Sequence, residues 1–150
     1  MSNSDLIKLY SGQILALAAD IPRLGHLDDP DARAQKRSPL CGSTVTVELK
    51  LADGRISDFA QDVKACALGQ ASASVIGAAI VGCDHATVQR GRDQLFAMLK
   101  QDGPVPDAPF DGLEVLLPAR EFKNRHASIM LCFEATLEAM QQAEKNAATR

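Results

Sequence analysis

A strict alternation of apolar and polar residues over positions 44–50 constrains the fold of this chain more than any other feature of the sequence. In Thr-Val-Thr-Val-Glu-Leu-Lys the two valines and the leucine fall on one face, and this period of two is typical of a half-buried β-strand. The turn signal Ala52-Asp53-Gly54 follows, so positions 55–64 are predicted to be the returning strand of an antiparallel hairpin.

Helical periodicity explains most of the remaining sequence. The predicted helices span positions 5–19, 69–81, 85–101 and 128–147. An apolar run at 113–117 fits either a strand or a helix, because periodicity does not separate the two in so short a segment. The polar connection 22–39 and the proline-rich linker 103–109 are predicted to lack regular structure. The last helix is predicted to end in a polar, fraying tail at 141–150.

The composition is that of one ordinary globular domain covering residues 1–150. Hydrophobic residues make up 46% of the chain and charged residues 23%, so a core can form without disulfides or metal. The net charge is −3 and there is no basic stripe, so no nucleic-acid partner is expected. The longest apolar stretch, 71–81, is too short to cross a bilayer, and the N-terminus lacks the order of a secretory signal, so a cytoplasmic protein without a membrane segment is expected.

Four cysteines, at positions 41, 66, 83 and 132, are the residues with the richest chemistry in the chain. In a reducing compartment a disulfide framework is not expected, so each is either a buried small side chain or a functional thiol. Cys41 directly precedes one strand of the predicted hairpin, and Cys66 directly follows the other. Because the strands are antiparallel, both cysteines are expected at the same end of the hairpin.

The local sequence separates the four thiols. The Pro-Leu-Cys-Gly sequence around Cys41 predicts a tight turn, in which backbone can approach whatever the sulfur binds, and function and packing carry equal weight there. Cys66 precedes a helix whose N-terminal dipole favours the thiolate, although packing is an equal alternative. Cys132 on its own favours packing. Cys83 does too, because a single Cys83–His85 pair is a weak signal for a metal site.

Taken together and in order, three of these contexts resemble the IscU/NifU family of iron–sulfur cluster assembly scaffolds. The matching elements are Pro39-Leu-Cys-Gly42 before a strand, Cys66 leading into Gln70-Ala-Ser-Ala-Ser74, and Cys132 near the start of a C-terminal helix. The long interval between the second and third of these cysteines is more similar to the SufU-type branch than to the compact IscU branch. The resemblance covers residues 9–140, which is most of the chain.

This resemblance implies an α+β fold, with a small three-stranded antiparallel sheet, several helices packed on one face and a long C-terminal helix. It also implies that Cys41, Cys66 and Cys132 converge at one exposed end and hold a transient [2Fe–2S] cluster or a zinc ion. A non-enzymatic scaffold of this kind passes its cluster to acceptor proteins. Three soft thiolates suit iron and zinc better than hard cations.

The alternative that the resemblance implies is a zinc-dependent sulfurtransferase. In that case one cysteine, by analogy Cys132, accepts persulfide from a SufS-like cysteine desulfurase. A third hypothesis, which needs no chemistry, is an interaction module that has kept the fold but binds no cargo.

The sequence also departs from the family pattern at the expected site. Ser43 stands where the family usually has aspartate, and Ala65 stands where it usually has glycine. Leu131 occupies the position of a histidine in the compact branch. The fourth ligand is therefore open, and His126, Glu134, water or a partner's side chain could supply it.

Overall fold

The computed structural model describes residues 10–148, in which a three-stranded sheet and four α-helices account for most of the chain. The strands are β1 (Ala32–Arg37), β2 (Thr44–Ala52) and β3 (Arg55–Lys64). The α-helices are α1 (Gly12–Ala19), α2 (Ala67–Ala79), α3 (His85–Lys100) and α4 (His126–Ala148), and two 3₁₀ segments, Asp111–Glu121 and Lys123–Arg125, join α3 to α4. The predicted α+β class, antiparallel three-stranded sheet and long C-terminal helix are confirmed.

The predicted hairpin is present, and its register determines what lies at each end. The order in the sheet is β1-β2-β3, and β2 pairs with β3 from Thr44 opposite Lys64 to Ala52 opposite Arg55. The turn between them consists of Asp53 and Gly54, whose φ angles are 54° and 77°. Glycine adopts such positive φ angles without steric cost. The open end of the hairpin therefore lies beside residues 43 and 65.

The prediction that positions 22–39 are irregular is wrong for residues 32–37, which form β1. This strand pairs antiparallel with β2 from Ala32 opposite Leu49 to Arg37 opposite Thr44. Its first two inward positions are Ala32 and Ala34, which are buried, and charged or polar side chains alternate with them. Because the buried side chains are only methyl groups, the alternation carries little hydrophobic contrast and does not stand out in the sequence.

Helix α4 forms the layer that covers the sheet, packing across β1 and β2. The apolar stripe of β2, Val45, Val47 and Leu49, is 1% exposed or less. On the opposite face, the buried carboxylate of Glu48 accepts a hydrogen bond from the backbone N–H of Leu27 at 2.8 Å. The long C-terminal helix thus covers the apolar face, while part of the connection after α1 lies over the other.

A buried glutamine on β3 ties the layers together. Gln61 is 0% exposed, and its Nε2 donates to the backbone carbonyls of Pro22 and Ala73, each at 3.1 Å. Its Oε1 lies 3.4 Å from Sγ of Cys132 on α4. Leaving a buried amide without partners costs about 1–3 kcal/mol, so this side chain holds α2, α4 and the connection after α1 in a fixed arrangement around β3.

The C-terminal helix agrees closely with the predicted span 128–147. It begins at His126, two residues before the predicted start, and ends at Ala148, one residue beyond the predicted end. Packing holds its last turns, because Ala143 is 3% exposed within the core and Nδ2 of Asn146 donates to the carbonyl of Asp31 at 3.4 Å. Positions 149–150, and the part of the first predicted helix before residue 10, lie outside the described residues.

The apolar run at 113–117, which periodicity left undecided, belongs to the 3₁₀ helix Asp111–Glu121. Leu113, Leu116 and Ala119 are all 0% exposed, and their spacing of three matches the three residues per turn of this helix type. Within residues 10–148, no helix combines the length and the hydropathy needed to cross a membrane.

Replacing Gly91 with alanine is expected to lower the free energy of unfolding by about 1–3 kcal/mol, the usual cost of overpacking a core. An added Cβ would lie 2.6 Å from Cδ2 of Phe110 and 2.9 Å from Cζ of Phe133, two rings in edge-to-face contact at 5.0 Å. Urea denaturation followed by circular dichroism measures the change. Gly12→Ala is the control, because its Cβ meets nothing within 4 Å. Equal stability of the Gly91→Ala variant and the wild type would contradict this packing.

Candidate functional site

Cys41 lies in the tight turn that joins β1 to β2, with its side chain exposed. The turn is closed by a hydrogen bond from the N–H of Gly42 to the carbonyl of Ser38 at 2.9 Å, and Gly42 has a φ of 71°, in the left-handed region. Two hydroxyls flank the sulfur: Oγ of Ser38 at 3.3 Å and Oγ of Ser43 at 3.0 Å. The predicted tight turn is confirmed, and it presents the thiol to solvent between two serines.

Cys66 lies at the end of β3, where it is the N-cap residue of α2. Its backbone carbonyl accepts from the N–H of Gln70 at 2.9 Å, which begins the helix, and its half-buried Sγ lies 3.5 Å from Oγ of Ser128. Ser128 belongs to the first turn of α4. The strand-to-helix junction predicted for Cys66 is therefore confirmed, and the last helix supplies its neighbour.

The hydroxyls of Ser43 and Ser128 are in contact between the thiols of Cys41 and Cys66. Oγ of Ser128 donates to Oγ of Ser43 at 3.1 Å, and both serines are buried. A continuous row of contacts thus runs from Cys41 through Ser43 and Ser128 to Cys66. Gly69 permits this approach, because an added Cβ there would lie 2.6 Å from Oγ of Ser128. We call these four side chains the thiol–serine row.

The electrostatic surroundings of Cys41 favour its thiolate. Hydrogen bonds from the hydroxyls of Ser38 and Ser43 lower the pKa of Cys41 from 9.0 to about 7, and the slight burial of the group opposes this only in part. A hydroxyl stabilises the thiolate by donating to it without adding charge. At neutral pH the nucleophilic, metal-binding thiolate of Cys41 is therefore more populated than that of an ordinary cysteine.

Cys132 lies in a different environment. It is 1% exposed, and desolvation raises its pKa to about 12, so the side chain remains a thiol at neutral pH. Its Sγ donates to Oε1 of Gln61. Cys132 follows Ser128 by four residues on α4, which places it one helical turn further along the helix. Contacts through Ser43 and Ser128 thus link Cys41 to Cys66, whereas the Cys132 thiol contacts the amide of Gln61.

The other candidate ligands have partners of their own. Nε2 of the buried His126 donates to the carbonyl of Ala119 at 2.8 Å, and burial lowers the pKa of this histidine. Glu134 forms an ion pair with Arg92 at 2.7 Å. Cys83 is buried, with its Sγ 3.3 Å from the carbonyl of Ala79, as the packing interpretation expects.

Sequence reasoning missed the structural role of the serines. Ser43 stands out in the sequence only as a departure from the aspartate of the family pattern, and no role was predicted for Ser38 or Ser128. A signal for Ser128 was present, since a residue four positions before Cys132 on a helix occupies the same face one turn earlier. The meeting of Ser43 with Ser128 had no such signal, because the two are 85 residues apart in the sequence.

Comparison with known proteins identifies the family to which the chain belongs. The sequence matches the family described as the NifU-like N terminal domain over residues 9–112, which is more than half of the chain. The chain therefore belongs to this family, and the predicted IscU/NifU-like membership is confirmed. The matched range contains Cys41 and Cys66 and ends before α4, so it contains neither Ser128 nor Cys132.

Two solved structures share the fold. A nitrogen-fixing NifU-like protein (N-terminal) from Brucella abortus is 43% identical, with a TM-score of 0.91 over 94% of this chain and 98% of that chain. A putative iron–sulfur cluster assembly scaffold protein for the SUF system from Fervidobacterium islandicum AW-1 has a TM-score of 0.78 over 89% of this chain and 98% of that chain. Its identity of 18% shows a shared fold alone.

A curated relative is the iron–sulfur cluster assembly scaffold protein IscU of Thermotoga maritima. It is 34% identical over 74 residues, which is 49% of this chain and 52% of that protein. The chain thus spans about half the length of this curated relative.

Cys41 is expected to be the thiol that iodoacetamide modifies fastest, with a rate that rises through about pH 7 as the thiolate forms. Cys132 is expected to stay unmodified in the folded protein, because it is buried and protonated. Peptide mapping by mass spectrometry after timed alkylation at several pH values measures both rates. Faster labelling of Cys132 than of Cys41 would contradict this description of the site.

The Ser43→Ala substitution is expected to move the pH midpoint of Cys41 alkylation upward, toward 9.0, because one hydroxyl that stabilises the thiolate is lost. The matched control is Ser57→Ala, at an exposed position on β3. The same alkylation assay applies. A midpoint that does not move in Ser43→Ala, or that moves equally in the control, would show that the serine does not tune Cys41.

Proposed function

We propose that this protein is a scaffold for iron–sulfur cluster assembly, which binds iron and sulfide at Cys41 and Cys66 and releases the product to an acceptor protein. The observation that carries this proposal is the thiol–serine row, in which two cysteines remote in sequence share one end of the hairpin. Membership of the NifU-like N terminal domain family supports the same function. The similarity to the IscU protein of Thermotoga maritima, which is described as an assembly scaffold, supports it too.

The chemistry of the thiol–serine row suits the binding of iron and sulfide that must later be released. Thiolates are soft ligands that select iron over hard cations, and the pKa of Cys41, lowered to about 7, favours its thiolate. The groups between the sulfurs are the uncharged hydroxyls of Ser43 and Ser128, not carboxylates. A hydroxyl binds iron more weakly than a carboxylate does, so the site holds its cargo mainly through the two sulfurs.

The sequence-based ligand set had three cysteines, and Cys132 is the member least ready to act. A [2Fe–2S] cluster in a protein usually takes four thiolates. Cys41 and Cys66 supply two of them, while the Cys132 thiol is buried, protonated and bonded to Gln61. We therefore propose that the pair acts without Cys132, and that thiols of the donor or acceptor complete the coordination.

Sulfur acceptance by Cys41 is a second candidate function, favoured by its exposed thiol and its pKa of about 7. The Cys41 thiolate attacks the outer sulfur of a persulfide on a cysteine desulfurase. A new S–S bond forms on Cys41 as the donor's S–S bond breaks, and the donor's cysteine leaves as a thiolate. No net oxidation or reduction occurs. This proposal gives Cys41 the acceptor role that family analogy assigned to Cys132, which is 1% exposed.

A resident zinc ion does not fit the residues as they are arranged. A structural zinc site takes four protein ligands and a catalytic one takes three. Across residues 10–148, no group of three or more histidine, cysteine, aspartate or glutamate side chains is placed to hold a metal ion. No step of the proposed function therefore passes through zinc.

The donor we propose is a SufS-like cysteine desulfurase, and the compartment is the cytoplasm. All four cysteines are free, as expected for a chain that works in a reducing compartment. The recipients are apo-proteins that take up a finished cluster.

Anaerobic reconstitution with ferric iron and sulfide is expected to give a visible absorption band in the wild type and in Cys132→Ala. No band is expected in Cys41→Ala or Cys66→Ala, because each removes one of only two available thiolates. Cys83→Ala is a matched control, since it removes a buried thiol elsewhere in the core. Absorption spectra and bound iron per chain are the measurements, with circular dichroism to verify folding.

Loss of the band in a correctly folded Cys132→Ala variant would restore the three-cysteine ligand set. Absence of a band in the wild type would reject the scaffold proposal. In that case, mass spectrometry of the Cys41 peptide after desulfurase turnover would decide whether sulfur acceptance remains.

A further inference from the structure

A basic cavity of about 270 Å³ lies next to the turn that carries Cys41. Its lining includes four basic side chains and one acidic one, together with an apolar surface that contains Phe96 and Leu131. The charged residues are Lys36, Arg37, Arg92, Lys100 and Glu134. Ser38 also borders it, and the hydroxyl of Ser38 lies 3.3 Å from Sγ of Cys41. The cavity and the exposed thiol therefore share one wall, although the cavity takes no part in the function proposed above.

The charges of the basic cavity are only partly neutralised within residues 10–148. Lys36 pairs with Glu138 at 3.2 Å, and Arg92 pairs with Glu134. Arg37 is exposed, and its guanidinium forms no hydrogen bond or ion pair with any described residue. Lys100 donates to Nδ1 of His126 at 3.4 Å but has no carboxylate partner in that part of the chain. Two unneutralised cations thus face solvent here, on a chain whose net charge is −3.

The floor of the basic cavity is apolar. The ring of Phe96 lies beneath the guanidinium of Arg92, 4.9 Å from the ring centroid, and near the ammonium of Lys100 at 5.9 Å. Leu131 and Met130 continue this surface. A cavity with cations at its rim and an apolar floor suits a carboxylate that is carried on an apolar stem or flanked by apolar residues.

The residues around the basic cavity favour a protein segment over a small anion as its ligand. Leu40, one residue before Cys41, is 76% exposed, and Pro39 beside it is also exposed. A small anion in the cavity would leave both in water, whereas a chain running from the cavity to Cys41 would cover them. Arg37 extends toward this path, because its Nη2 would lie only 3.6 Å from a Cβ added at Gly42.

We propose that the basic cavity docks a carboxylate-bearing segment of the protein that delivers sulfur to Cys41. This inference rests on the proposed function, because it names where the sulfur donor binds. The donor must hold its persulfide within bonding distance of Cys41, and a contact that begins beside Ser38 and crosses Leu40 does so. The attraction between the acidic segment and Arg37 and Lys100 guides the encounter.

The test compares a charge-reversed variant with a matched control on the full chain. The double variant Arg37→Glu/Lys100→Glu is expected to weaken binding to a cysteine desulfurase from the same genome about tenfold or more, and to slow persulfide transfer to Cys41. Arg90→Glu reverses an exposed charge on α3, two residues before Arg92 and therefore on another face of the helix, and is expected to bind like the wild type. Biolayer interferometry at two salt concentrations gives the affinities.

Reconstitution with ferric iron and inorganic sulfide separates this inference from the proposed function, because it needs the cysteines but no donor protein. The double variant is expected to load as the wild type does. If neither protein loads, the proposed function fails, and the binding affinities still decide the docking site. The neutral variant Arg37→Gln/Lys100→Gln serves if charge reversal disturbs folding.

Three results would overturn the inference. The first is wild-type affinity for the desulfurase in both double variants, and the second is an equal loss in Arg90→Glu. The third is another occupant of the basic cavity: glutathione that binds the wild type but not the double variant, or a dimer of this chain that the double variant abolishes in light scattering.

Discussion

One hydrogen bond between two serine hydroxyls joins the parts of the molecule that make up the site. Ser43 lies just before β2 and Ser128 lies in the first turn of α4, and their oxygens are 3.1 Å apart. The bond requires α4 to cross the open end of the hairpin, and it requires Gly69 to leave room for the helix. Cys41 and Cys66 each contact one of these two serines. The hairpin places both cysteines at its open end, and the packing of α4 on the sheet supplies the serine contact between them.

The same packing separates the thiols into two chemical classes. Cys41 stands in solvent between hydroxyl donors, and its pKa falls to about 7. Cys132, one turn along α4 from Ser128, is buried against the amide of Gln61, and its pKa rises to about 12. A scaffold needs thiolates that a donor protein can reach, so exposure and ionisation both favour Cys41. The buried thiol belongs to the network that holds α2 and α4 around β3.

Local patterns in the sequence were enough to predict the hairpin, the two cysteine junctions and the long last helix, because each depends on periodicity or turn chemistry within a few residues. The resemblance to a known family added the third strand but not its position. The sequence pattern did not predict strand β1, because its buried side chains are alanines, whose methyl groups give little hydrophobic contrast. The serine contact and the burial of Cys132 depend on how α4 docks, which no local pattern in the sequence contains. The accessibility of Cys132 could therefore not be predicted from the sequence.

The most direct measurement is anomalous scattering at the iron edge from a crystal grown anaerobically after loading with ferric iron and sulfide. The account predicts an iron peak bonded to the sulfurs of both Cys41 and Cys66, with Cys132 still in contact with Gln61. Iron bonded to Cys132, or iron bound away from both Cys41 and Cys66, would contradict it.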